Sequence, residues 1–161
     1  MAKPPRDRST ALTNTYFVTA NAYSGQALFQ SDRVANLLIE TINEYRHQGK
    51  YLLHEFVIMP DHLHLLFTTS DGATLERAIQ LIKGGFSHRA GRQLEIRSEI
   101  WQRGYLDHRI RDAQDFSHHR SYIHENPVKA HLADAAEHYK YSSAFPGCIL
   151  DEPPQGLKPN S

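Results

Sequence analysis

Two apolar runs of strand length, residues 51–59 (YLLHEFVIM) and 62–68 (HLHLLFT), are joined by nothing longer than Pro60-Asp61. A two-residue turn leaves such a pair one arrangement, an antiparallel hairpin, because parallel strands need a crossover of a dozen residues or more. What flanks the hairpin then decides the fold. Upstream, residues 16–23 (YFVTANAY) carry β-branched and aromatic residues at strand density and end at Ser24-Gly25. Ser31 then offers an N-cap, and Val34, Leu37, Leu38, Ile42 and Tyr45 recur at helical spacing until Gly49. Downstream, Thr74 caps a second helix whose stripe is Leu75, Ala78, Ile79, Ile82 and Phe86. Gly84-Gly85 weakens that helix internally and marks either a close approach or a kink. Residues 100–110 (IWQRGYLDHRI) predict a fourth strand, and a third helix runs from about residue 112 to residue 126, stopped by Pro127.

The order β-α-β-β-α-β plus one helix predicts an α+β chain: a ferredoxin-like antiparallel sheet with an additional C-terminal helix. The two crossover helices cover one face and leave the other to the third helix or to a ligand. At 161 residues the chain fits one domain with a real core. Residues 15–148 are its expected span, with a polar tail over 1–14 and a Pro-rich tail over 149–161. Cys148 is the sole cysteine, which excludes an internal disulfide and points to a reducing cytosol. No apolar stretch reaches the length of a membrane span and the N-terminus lacks a signal-peptide core, so a cytoplasmic protein without a membrane partner is expected. Formal charge sums to zero, yet residues 83–111 hold Lys83, Arg89, Arg92, Arg97, Arg103, Arg109 and Arg111 against Glu95, Glu99 and Asp107. That block is either a solvated helix face or a phosphate-binding surface.

Side chains on a strand alternate, so His62 and His64 share one face and Leu63, Leu65 and Phe67 the other. The apolar set packs on the crossover helices, which aims both imidazoles at the open face. Two imidazoles so spaced can ligate a metal or hold an oxyanion, or be half-buried structural histidines. A second constellation lies in residues 120–130 (RSYIHENPVKA): at steps of four, His118, Tyr122 and Asn126 form one helical row. In the plainer reading Tyr122 docks on the core and Asn126 caps the helix before Pro127. In the functional one this helix covers the open face and brings Asn126 to the histidine pair as a third ligand, with the Tyr122 hydroxyl beside it. Two imidazoles and an amide oxygen suit Mn²⁺ or Mg²⁺, with coordination positions left for substrate.

His62-Leu63-His64 after Pro60-Asp61, the stretch IWQRGYLDHRIRD, and Tyr122 in YIHENPVKA together resemble the single-tyrosine HUH transposases. Within them the likeness is to the branch associated with repetitive extragenic palindromic (REP) sequences, and it covers roughly residues 16–145. It implies a ferredoxin-like fold, His62, His64 and Asn126 as ligands of Mg²⁺ or Mn²⁺, and Tyr122 as nucleophile. It also implies cleavage of single-stranded DNA beside REP-like hairpins, a nucleoid-associated place in the cytoplasm, and a monomer acting in cis, with a dimer left open. One departure is His131, where the pattern NPVKA is usually followed by glycine.

On this reading Tyr122 attacks phosphorus, a 5′-phosphotyrosine forms and a 3′-hydroxyl leaves. Free tyrosine has a pKa near 10, so the hydroxyl needs help, and His118 one turn earlier is a candidate. Lys83, Arg89, Arg103, Arg109 and Arg111 would meet the phosphates, and Trp101 and Tyr105 would stack on bases unless Trp101 belongs to the core. Two rivals share these features: a domesticated or non-catalytic hairpin-binding module, and a phosphoesterase that activates water and needs no tyrosine.

Overall fold

The computed structural model describes residues 14–159; the expected N-terminal tail lies, but for Asn14, outside them. Strand β1 (Thr15–Asn21) leads through two short 3₁₀ turns to helix α1 (Asp32–His47). The hairpin follows as β2 (Tyr51–Met59) and β3 (His62–Thr69), then α2 (Leu75–Gln93), β4 (Leu106–Arg109) and α3 (Ala113–Lys129). The four strands form one antiparallel sheet in the order β2-β3-β1-β4, as the expected ferredoxin-like arrangement requires.

The caps explain where the helices begin. The Ser31 hydroxyl accepts from the Val34 amide, the Thr74 hydroxyl from Arg77 and the Asp112 carboxylate from Asp115. Helix α2 runs unbroken across Gly84-Gly85, and the two glycines differ. A Cβ on Gly84 would meet open space, whereas one on Gly85 would overlap the Tyr45 ring of α1. Gly85 therefore marks a close approach between the crossover helices.

Two apolar clusters sandwich the sheet. On one side Val18, Leu53, Leu63, Leu65 and Phe67 pack against Leu38 and Ile42 of α1 and Ile79, Ile82 and Phe86 of α2. On the other, Val57, Met59 and Leu66 pack against Phe116 and Ile123 of α3. A β-bulge at residues 53–55 of β2 lets Leu53 face the first cluster while Glu55 turns toward α3.

The structure departs from several expectations. The fourth strand does not span residues 100–110. Trp101 makes an isolated bridge to Ala22, and Gly104 takes a left-handed φ of 77° that breaks the extended chain before β4 begins. Trp101 itself is buried against Phe29 and Phe86, the core placement that the sequence left as its alternative. Nor does Pro127 stop α3. Its fixed φ suits a helix, its missing N–H forfeits one hydrogen bond, and the helix continues to Lys129. The true end is a Schellman motif, with Leu132 N donating to Pro127 O and His131 N to Val128 O. Asn126 is thus a helical residue and not the cap.

The chain beyond residue 149, read as a tail, is fastened to α1 and β2 through Asp151. Asp151 accepts from Arg46 at 2.8 and 2.9 Å and from the Leu53 amide at 2.9 Å. The Arg46 guanidinium, set against the cost of burial, holds the Asp151 carboxyl below its ordinary pKa. Among the described residues no helix is long and apolar enough to cross a membrane.

His131 occupies the left-handed position of the Schellman turn, at φ 61°. A non-glycine residue there costs about 1 kcal/mol, so His131→Gly should raise stability by about that amount in urea unfolding. Gly84→Ala should stabilise by about 0.5–1 kcal/mol through helix propensity. Gly85→Ala should not, because Tyr45 must move off to admit it.

Candidate functional site

Strand β3 is central, with β1 and β2 on its flanks and helices on both faces. Its alternation places Leu63 and Leu65 in the crossover core and turns His62 and His64 toward α3. The two imidazoles lie 4.7 Å apart, centroid to centroid.

His64 is 4% exposed. Its Nδ1 is 2.9 Å from the hydroxyl of Thr19, its register partner on β1, and its ring stacks on Phe17 at 5.1 Å. Its Nε2 is the one buried side-chain polar atom among the described residues without a hydrogen-bond partner. A buried polar atom left unpaired costs about 1–3 kcal/mol. Burial, and next the nearby His62, push the His64 pKa down to about 3, so the ring is neutral at physiological pH. A neutral imidazole with Nδ1–H on Thr19 presents an Nε2 lone pair, which is what a metal ligand requires.

His62 is less buried, and its Nδ1 lies 2.7 Å from the Asp61 carboxylate. Carboxylates commonly orient metal-binding histidines in this way, leaving Nε2 for the ion. Asp61 looked like turn chemistry in the sequence, and nothing in its spacing announced this second use.

Helix α3 delivers Tyr122 to the pair. The Tyr122 ring is 5.3 Å from His64 and edge-on to Phe17 at 5.8 Å, and the residue is 43% exposed. A tyrosine with one side on a buried histidine and its other side open can be reached by a large substrate. Asn126 follows one turn later in the same helical row, half-buried, its amide engaged in no hydrogen bond among the described residues. The helix is held over the sheet by a polar contact as well as by Phe116 and Ile123. His124 Nε2 lies 2.8 Å from Glu55 Oε1, which also accepts from Ser143 at 2.6 Å. His118, one turn before Tyr122 in the same row, is exposed, and its ring meets that of His119 at 5.3 Å.

The basic residues divide. Arg103, Arg109 and Arg111 are exposed around β4. Arg103 lines a cavity of about 480 Å³ with Tyr23, Trp101 and Lys83. Lys83 turns its ammonium onto the carbonyls of Gln102 and Gly104, at 3.0 and 2.8 Å, and so holds the loop before β4. Arg89 lies over the Tyr45 ring at 5.6 Å on the helix side of the sheet, the opposite face from His62 and His64. A further polar group, His108, Asp115 and His119, sits between β4 and the start of α3.

Comparison with known proteins agrees with this fold. The family model described as "Transposase IS200 like" matches residues 11–126. A Haemophilus influenzae protein assigned as a REP-associated tyrosine transposase is 33% identical over 129 residues, 70% of this chain and 73% of its own. The REP-associated tyrosine transposase of Escherichia coli K12 is 28% identical over 116 residues, 71% of this chain and 67% of its own. A solved REP-associated tyrosine transposase bound to a REP hairpin superposes with a TM-score of 0.69 at 26% identity, over 81% of this chain and 76% of that one. With the fold, the motifs and the relatives in accord, the chain belongs to the IS200-like transposases, in the branch of the REP-associated tyrosine transposases.

Proposed function

We propose that this protein cleaves and rejoins single-stranded DNA beside a hairpin, with Tyr122 as nucleophile. The observation that carries the reading is the half-exposed Tyr122 ring set against buried His64, whose Nε2 has no partner among the described residues. The hairpin is inferred from the solved relative, which is bound to one.

The donor set fits a divalent cation such as Mg²⁺ or Mn²⁺. His64 offers an orphaned Nε2, His62 is oriented by Asp61, and Asn126 supplies a free amide oxygen. When bound, the ion would polarise a non-bridging oxygen of the scissile phosphate. The rest falls to the chain. Thr19 and Phe17 fix the His64 ring, and α3 holds Tyr122 beside it. The Tyr122 oxygen bonds to phosphorus and loses its proton; the bond from phosphorus to the 3′-oxygen breaks, and that oxygen leaves protonated as a 3′-hydroxyl. Attack by a 3′-hydroxyl on the 5′-phosphotyrosine runs the same step backward and rejoins DNA. Arg103, Arg109 and Arg111 are placed to meet phosphates along the path.

A labelled hairpin oligonucleotide with a single-stranded flank, incubated with Mn²⁺ and resolved on a denaturing gel, should give a covalent protein–DNA band. The band should vanish in Tyr122→Phe. Cleavage that survives in that variant would favour the water-activating phosphoesterase; binding without cleavage by the natural protein would favour a hairpin-binding module.

The ligand assignment makes a separate prediction. Mn²⁺ at 100 times its dissociation constant should stabilise the fold by about 2.7 kcal/mol, visible as a rise in Tm by calorimetry. His64→Leu should abolish that rise without unfolding the protein, since it replaces an unpaired polar atom with an apolar group. An equal rise in His64→Leu would place the ion elsewhere.

A further inference from the structure

We propose that His108, Asp115 and His119 form a hydrogen-bonded clamp that fixes the tyrosine helix against β4 and so sets the position of Tyr122 for attack. The inference rests on the reading of Tyr122 as the nucleophile, and it gives these three residues positioning roles.

Asp115 is the third residue of α3, and its side chain is 8% exposed. It receives His108 Nε2 from β4 at 2.8 Å and the Arg111 amide at 3.0 Å, both on Oδ2. One turn along the helix, His119 Nδ1 lies 3.1 Å from Oδ1 and 2.9 Å from the Asp115 carbonyl oxygen. Burial alone would raise the Asp115 pKa, but the hydrogen bonds from His108 and Arg111 and the charges of His108 and His119 outweigh it. The carboxyl is held below its ordinary value, and an ionised acceptor makes each of these hydrogen bonds stronger than a neutral one.

The clamp reaches the active site through rings. Asp115, His119 and Tyr122 stand at i, i+4 and i+7, one face of α3. The His119 ring packs on Phe17 at 4.8 Å, and Phe17 is the residue that both His64 and Tyr122 touch. A displaced His119 would loosen a side chain that packs on both the nucleophile and the buried histidine. β4 is a four-residue edge strand paired only with β1, so His108 ties α3 to a part of the sheet that Glu55 and His124, at β2, do not reach.

The same three side chains could be imagined around a metal ion. Against this, the planes of the His108 and His119 rings lie within 20° of each other, Asp115 Oδ2 already accepts from His108 and from the Arg111 amide, His119 Nδ1 is hydrogen-bonded to the Asp115 carbonyl oxygen, and Arg111 Nε is 3.5 Å from Oδ2. A cation would displace those donors and sit beside a guanidinium.

The test compares His108→Ala with His108→Gln in the full chain, because a glutamine amide N–H can replace Nε2–H. Three quantities are measured: the single-turnover rate of Tyr122–DNA adduct formation, the Kd for the hairpin, and hydrogen exchange of α3 amides without DNA. His108→Ala should slow adduct formation by about tenfold to a hundredfold, while the Kd changes by less than about threefold. Exchange over residues 116–123 should quicken. His108→Gln should restore both rate and protection. An unchanged rate in His108→Ala, a Kd that weakens in step with the rate, or failure of His108→Gln to recover would overturn the clamp. So would stoichiometric Zn²⁺ in the natural protein that His108→Ala loses. If the natural protein forms no adduct, the nucleophile reading fails; the exchange comparison still decides whether the clamp exists, with unaltered protection in His108→Ala counting against it.

Discussion

Strand β3 is buried on both faces along all but its first residue. β3 is hydrogen-bonded to β1 and β2, its Leu63 and Leu65 fill the space under α1 and α2, and its other face is roofed by α3. Any polar group on that second face must therefore find a partner inside the protein or be left without one. His64 finds Thr19 for one nitrogen and, among the described residues, no partner for the other. The rest of the site is arranged around that free nitrogen: Phe17 beneath the ring, His62 beside it, Tyr122 across from it.

The roof is what turns a strand with an unpaired imidazole nitrogen into a site. Helix α3 is docked by two different means. Phe116 and Ile123 bury apolar surface against β2 and β3, while polar contacts at Glu55 and around Asp115 fix its rotation and height. Apolar packing alone is non-directional and would tolerate sliding. Hydrogen bonds to buried carboxylates tolerate little, so the angle at which Tyr122 meets His64 is set by groups that never touch it.

The sequence shows the fold through its periodicities. Alternation in residues 62–68 separates the leucines from the histidines, and the serine and threonine caps of α1 and α2 lie where the apolar stripes begin. The fourth strand was misread because Trp101 and Tyr105 have strand propensity, while the break is made by one left-handed glycine and by a lysine on loop carbonyls. Pro127 misled in the opposite direction. A proline can be housed in a last turn when a Schellman motif supplies the end, and the histidine in its left-handed position hid that signal. That His62 and His64 share a face follows from strand alternation, and the structure brings Tyr122 to the same place. Thr19, Phe17, Asp61 and the Asp115 group were not legible, because their importance comes from register and from which helix lies over which strand.

The central claim is that His62 and His64 hold a divalent ion beside Tyr122. Pulsed electron paramagnetic resonance on the Mn²⁺-loaded protein reads the ligands directly, through hyperfine coupling to directly bound imidazole nitrogen. The account predicts coupling to two histidine nitrogens, reduced to one in His62→Ala and in His64→Leu taken singly. Coupling that persists unchanged in both variants, and disappears in His108→Ala, would contradict it.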